Sequence, residues 1–126
     1  MKILIFIALA WGLTIGQAQA GVIHADFEQI DNNHWSVEYT VVNDTPDDIF
    51  WFSVFFDFDL FANLTLTETP GDWDSLVLQS EPSFLLDGLF DSLALGEGIK
   101  PLESLSGFKV EFDYLGSGTP LDQYFE

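Results

Sequence analysis

Along most of the chain after residue 20, apolar and polar side chains alternate with a period of two, and that period predicts strands. In His34–Asn43, Trp35, Val37, Tyr39 and Val41 fall on one side while Ser36, Glu38 and Thr40 fall on the other. This is the pattern of a half-buried strand with one wet face. Gly107–Leu115 repeats it, with Phe108, Val110, Phe112 and Tyr114 against Lys109, Glu111 and Asp113. Ile49–Phe58 departs from it: Phe50, Phe52, Val54, Phe56 and Phe58 occupy one face, but Ile49, Trp51 and Phe55 occupy the other. A strand apolar on both faces is either central and covered or displays an aromatic patch.

Val22–Gln29, Ala62–Thr67 and Ser75–Gln79 read as further short strands. Between the strands fall turn formers: Asp31-Asn32-Asn33, Asn43-Asp44-Thr45-Pro46, Thr69-Pro70-Gly71 and Gly116–Pro120. Leu85–Leu95 fits two patterns. Leu86, Phe90 and Leu93 have helical spacing, whereas Leu89, Asp91 and Leu93 suit an edge strand, the reading its neighbours favour. Six or seven short strands in about 100 residues predict an all-β fold, an antiparallel β-sandwich of immunoglobulin-like look with about seven strands. The Cys-Trp-Cys core of true immunoglobulin domains is missing, since the chain has no cysteine.

The first 20 residues break the pattern. Lys2 precedes an unbroken apolar stretch, Ile3–Ile15, followed by Ala18-Gln19-Ala20, the small-x-small arrangement that precedes signal-peptidase cleavage. The run is shorter than the roughly 20 residues a membrane-spanning helix needs. The expectation is a cleaved signal peptide over 1–20 and one secreted domain over 21–126, extracellular or periplasmic. Without cysteine, that domain must be held by packing alone.

Charge narrows the partners. Twenty-one acidic residues face three basic ones (Lys2, Lys100 and Lys109), there is no arginine, and the formal net charge is −18. Nucleic-acid binding draws on Lys and Arg to neutralise phosphate and is excluded on this composition. Anionic lipid surfaces are disfavoured for the same reason, so no membrane partner is expected after signal cleavage. With 48% hydrophobic and 16% aromatic residues there is ample core material, and the acidity implies a solvated, self-repelling surface rather than disorder.

Several segments carry a resemblance. Tyr39–Thr45 leading to Ile49–Asp57 is similar to exported bacterial proteins of the PEP-CTERM class, as are Gly71–Gln79, Asp87–Leu95 and Leu105–Gly116. The similarity covers most of Ile30–Phe125 and consists of strand-and-turn patterning. It implies a secreted protein, often associated with exopolysaccharide, and no catalytic residues. Members of the class end in a Pro-Glu-Pro motif, an apolar helix and a basic tail, none of which is found here. Where relatives of this look continue into another strand, the sequence stops at Pro120–Glu126, so the expectation is either a variant without the sorting signal or a truncated chain. If a closing strand is missing, an edge beside Ile49–Phe58 or Gly107–Leu115 stays open to self-association.

Candidate chemistry is sparse. There is no cysteine, no Gly-x-Ser-x-Gly elbow, and the two imidazoles, His24 and His34, read as ordinary structural or surface histidines. No catalytic residue and no resident cofactor is expected. Weak calcium binding is the metal chemistry the composition allows, because hard cations take oxygen ligands from acidic loops. Asp57 with Asp59 and Asp72 with Asp74 are the candidate ligands, beside the oxygen-rich Asp31-Asn32-Asn33 and Asp44 with Asp47 and Asp48. Trp51 and Phe55, with Trp35 or Trp73, could form an aromatic platform for sugar rings, against the commoner reading of covered core aromatics, and Trp51 and Trp73 are the candidate ligand-binding residues. Trp73, between Asp72 and Asp74 in a turn, is the tryptophan expected at the surface. Asn43-Asp44-Thr45 and Asn63-Leu64-Thr65 match the glycosylation acceptor pattern, but Asn43 reads better as a turn former closing a strand.

The sequence thus points to a secreted, non-enzymatic matrix or surface-associated protein whose partners are polysaccharide or divalent cations. A carbohydrate-binding module is the alternative, and a glycoside hydrolase-like enzyme built on paired carboxylates comes third.

Overall fold

A computed structural model describes residues 2–6, 21–120 and 123–126. The strands are β1 (Lys2–Phe6), β2 (Val22–Asp31), β3 (His34–Val42), β4 (Trp51–Phe56), β5 (Phe61–Glu68), β6 (Trp73–Leu78), β7 (Gly88–Ala94) and β8 (Ser104–Tyr114), with a 3-10 turn at Pro82–Phe84. All the period-two segments are strands, and the ambiguous Leu85–Leu95 resolves as β7 from Gly88 onward, not at an edge as its alternating Asp91 suggested but in the middle of its sheet, paired with β4 on one side and β6 on the other.

Two antiparallel sheets stack, one in the order β1-β2-β3-β8-β5 and the other β4-β7-β6. From β2 onward this is a sandwich of four strands on three, the layering expected of an immunoglobulin-like fold. Its connectivity exchanges the positions that the fifth and seventh strands hold in that fold: the last strand, β8, lies between β3 and β5, while β6 takes the outer place beside β7.

The core is aromatic. β3 contributes Trp35, Val37, Tyr39 and Val41; β8 contributes Phe108, Val110, Phe112 and Tyr114; β4 contributes Phe52, Val54 and Phe56. Phe52 meets Phe108 edge-on at 4.9 Å between ring centroids and Phe61 meets Phe112 at 5.0 Å, the T-shaped geometry that ring quadrupoles prefer. Gly107 stands at φ +100 beside the register break between Tyr39 and Val41, a bulge conformation that a side chain would strain.

Both strands beside which an open edge was expected are covered. β8 is internal, and the segment 123–126 lies along β4, where Ser53 and Glu126 exchange both backbone hydrogen bonds at 2.8 and 2.9 Å. Gln123 locks this segment down. Its Oε1 accepts from the buried Tyr39 hydroxyl at 2.6 Å, and its Nε2 donates to the Phe55 carbonyl at 3.2 Å.

Of the expected signal peptide, Lys2–Phe6 pairs as β1 with Val22–Asp26 of β2. Residue 1 and residues 7–20, including the Ala18-Gln19-Ala20 pattern, lie outside the described residues. Among the described residues no helix is long and apolar enough to cross a membrane.

Candidate functional site

The two outer faces of the sandwich differ sharply in chemistry. On the larger sheet the outward positions form polar rows, one of them Asp26–Glu38–Lys109–Glu68 and the next Glu28–Ser36–Glu111–Thr65. Asp26, Glu28, Ser36, Glu38 and Lys109 line a shallow groove there. At its end His34 is clasped by two carboxylates. Nδ1 lies 2.9 Å from Asp113 Oδ1, Nε2 lies 2.8 Å from Glu111 Oε1, and Asn63 donates to the other Asp113 oxygen at 2.8 Å. Two carboxylate partners favour the doubly protonated ring, so the imidazole pKa is raised, by the Asp113 hydrogen bond first and the Glu111 bond next. Asn63 and then His34 hold the Asp113 carboxyl below the usual carboxylate range. With both nitrogens engaged by carboxylates, His34 has no ring nitrogen left over to activate a nucleophile.

The smaller sheet is different. Strand register sets Trp51 beside Leu93 beside Asp74, and Phe55 beside Leu89 beside Leu78. Between those rows lies a third, Ser53–Asp91–Leu76, extended on the other side of β4 by Glu126. Tyr124 adds its ring to Phe55 at 5.3 Å. Trp51 is 50% exposed, Leu93 47%, Leu76 48% and Leu78 55%. An antiparallel sheet facing water normally places polar residues at these positions. A face this rich in exposed apolar side chains departs from the ordinary solvated surface. At its centre Asp91 accepts a hydrogen bond of 2.6 Å from the Ser53 hydroxyl.

The predicted site residues divide accordingly. Trp51 is on this face, as the aromatic-platform reading required. Trp73 is not: it is 5% exposed, packed edge-on against Phe108 at 5.4 Å and tilted over Phe52 at 6.1 Å. The expectation of a surface Trp73 fails because the turn ends one residue earlier than the acidic pair suggests. Strand alternation begins at Trp73, sending it inward while Asp72 and Asp74 stay exposed.

The candidate calcium ligands fall into two separate places. Asp57 and Asp59 share the turn after β4, where Asp57 Oδ1 already accepts the Asp59 backbone N–H at 2.8 Å. Asp72 and Asp74 flank the start of β6, which pairs with the far end of β7. The two pairs thus stand at opposite ends of the smaller sheet. Among the described residues no group of three His, Cys, Asp or Glu side chains is placed to hold a metal ion.

Asn43 is fully buried. Its amide donates to the carbonyls of Asp47 and Ile99 at 2.8 and 2.7 Å, while its oxygen accepts from the Thr45 backbone and hydroxyl. It is the turn former its position suggested.

Sequence reasoning missed the His34 clasp and the centrality of Asp91. The alternation of Glu111 and Asp113 in β8 was visible, but their meeting with His34 depends on a pairing 77 to 79 residues apart. No family model matches the chain, and no curated protein or solved structure is significantly similar to it.

Proposed function

We propose that this chain is an exported, non-enzymatic protein of the cell surface or extracellular matrix that holds to its surroundings through the outer face of the smaller sheet. The observation that carries the reading is the contrast between the two outer faces: one is a lattice of charged rows, the other exposes Trp51, Leu76, Leu78 and Leu93. The N-terminal apolar run with its Ala18-Gln19-Ala20 pattern supports export. The PEP-CTERM-like patterning supports an extracellular, exopolysaccharide-associated setting. Its acidic surface, net −18, attracts divalent cations diffusely.

Fractionation of the producing cell tests this. The wild-type protein should stay with the surface or matrix fraction, and Trp51→Ser with Leu93→Ser should move into the free medium. Finding the wild type inside the cytoplasm would end the proposal.

A carbohydrate-binding module is the second reading, favoured by the exposed Trp51 and the adjoining Phe55–Tyr124 pair. Tryptophan fluorescence that stays flat across a panel of neutral and acidic polysaccharides would remove it.

A further inference from the structure

The smaller-sheet face has a charged centre that limits what can cover it. Asp91 sits with Leu89 and Leu93 two residues away on its own strand and Leu76 directly across. Its neighbour across β4, Ser53, gives it one hydrogen bond. Covering the face would desolvate that carboxylate, which opposes binding unless a cation or further donors meet it. Among the described residues, the other charges that strand register places on the face, Asp74 and Glu126, are also acidic.

This rules against a second copy as the occupant. The chain has three lysines and no arginine. Lys2 belongs to β1 at the edge of the opposite sheet, Lys109 is on that sheet's outer face, paired with Glu68 at 4.0 Å, and Lys100 is in a loop near Glu97 at 3.5 Å. A symmetric dimer through this face would stack acid on acid. A neutral polysaccharide fits less well than a peptide. Sugar rings stack on flat aromatic faces, whereas Leu76, Leu78, Leu89 and Leu93 supply much of the apolar surface here.

Resting on the reading of this face as the contact surface, we infer that it docks an apolar peptide segment of another protein that places a Lys or Arg side chain on Asp91. The leucines and Trp51 take the partner's apolar side chains. Asp91, held in orientation by Ser53, receives the cation, and Asp74 and Glu126 repel segments with acidic flanks. Apolar contact gives the affinity and the central ion pair the selection, as in other interfaces where charge fixes register.

Two synthetic amphipathic peptides of about ten residues, lacking tryptophan, test the assignment. One carries arginine at its centre and the other citrulline, which has the same shape without the charge. Binding to the purified protein is followed by tryptophan fluorescence, with Trp51→Phe as the control that the signal comes from this face. The arginine peptide should blue-shift the emission and bind about tenfold or more tighter than the citrulline peptide. Asp91→Asn, which keeps an acceptor for Ser53, should bring the two affinities together, and Leu93→Ser should weaken both.

Failure of the arginine peptide to bind, equal affinities on the wild type, or a preference that survives Asp91→Asn would overturn the inference. A blue shift with a neutral glucan in place of either peptide would assign the face to sugar instead. Light scattering showing a dimer strengthened by Asp91→Asn would assign it to a second copy. None of these outcomes bears on whether the protein is exported, which fractionation alone decides.

Discussion

At the scale of single residues, the His34 clasp makes stability depend on pH from both sides. His34 has its pKa raised above 6.5, so its contribution is full below that value and is lost as pH rises through the folded value. Asp113 has its pKa lowered from 3.8, so its contribution is full above that value and is lost as pH falls through the folded one. The clasp is therefore strongest between pH 3.8 and 6.5. Thermal melts from about pH 3 to about pH 9 should show this, and His34→Gln should flatten the decline on the alkaline side. The effect is small because both partners are partly solvated. Tyr39 and Gln123 form the opposite case, a buried pair. Gln123→Leu leaves the Tyr39 hydroxyl without its 2.6 Å acceptor. Denaturant unfolding should then register a loss of about 1–3 kcal/mol, the cost of a buried polar group left unpaired. Burial also raises the Tyr39 pKa well above 10.0, so an alkaline absorbance titration should find that tyrosine silent until the protein unfolds.

At the scale of elements, β8 has the most to lose. It pairs with β3 on one side and β5 on the other, and its Phe108 touches Phe52, Trp73 and Phe90. Phe108→Ala should cost about 3–5 kcal/mol in urea unfolding, the usual range for emptying a buried aromatic site. Leu102→Ala, at a residue 92% exposed, should stay within about 0.5 kcal/mol of the wild type. The same contrast explains what could be read in advance. β3 and β8 were legible because one buried face imposes strict alternation, and Tyr39, Val37, Phe108 and Val110 obey it with no exposed exception. β4 was ambiguous because its outer residues, Trp51 and Phe55, are apolar while its inner ones are too, and only the folded structure shows that Trp51 stays half exposed. Trp73 was misplaced for a local reason: acidic neighbours after Pro70-Gly71 look like a turn whether the strand starts at 73 or later. Asp91 and His34 could not be recognised at all, since their partners come from strands set by long-range register.

At the scale of the whole molecule, the governing quantity is the net charge of −18. Like charges spread over one small domain repel one another in the folded state more than in the expanded chain, so screening should stabilise the fold. The Debye length falls from about 10 Å at 0.1 M salt to about 3 Å at 1 M, so the gain belongs to that range. Melting temperature should rise by a few degrees as NaCl is increased. Calcium separates screening from a specific site. Asp57 and Asp59 sit at one end of the smaller sheet and Asp72 and Asp74 at the other, and Asp57 already serves its own turn. Asp87 reaches the first turn but accepts the Phe58 backbone N–H at 3.1 Å, and among the described residues neither pair belongs to a group of three His, Cys, Asp or Glu placed to hold a metal ion. Melting curves in CaCl₂ and NaCl should therefore superimpose when plotted against ionic strength. An excess stabilisation by millimolar CaCl₂ would mean a true site, by the mass-action gain of a ligand that binds only the folded state. Asp57→Asn and Asp74→Asn would then tell which end of the sheet holds it, because only one of them should return the CaCl₂ curve to the NaCl line.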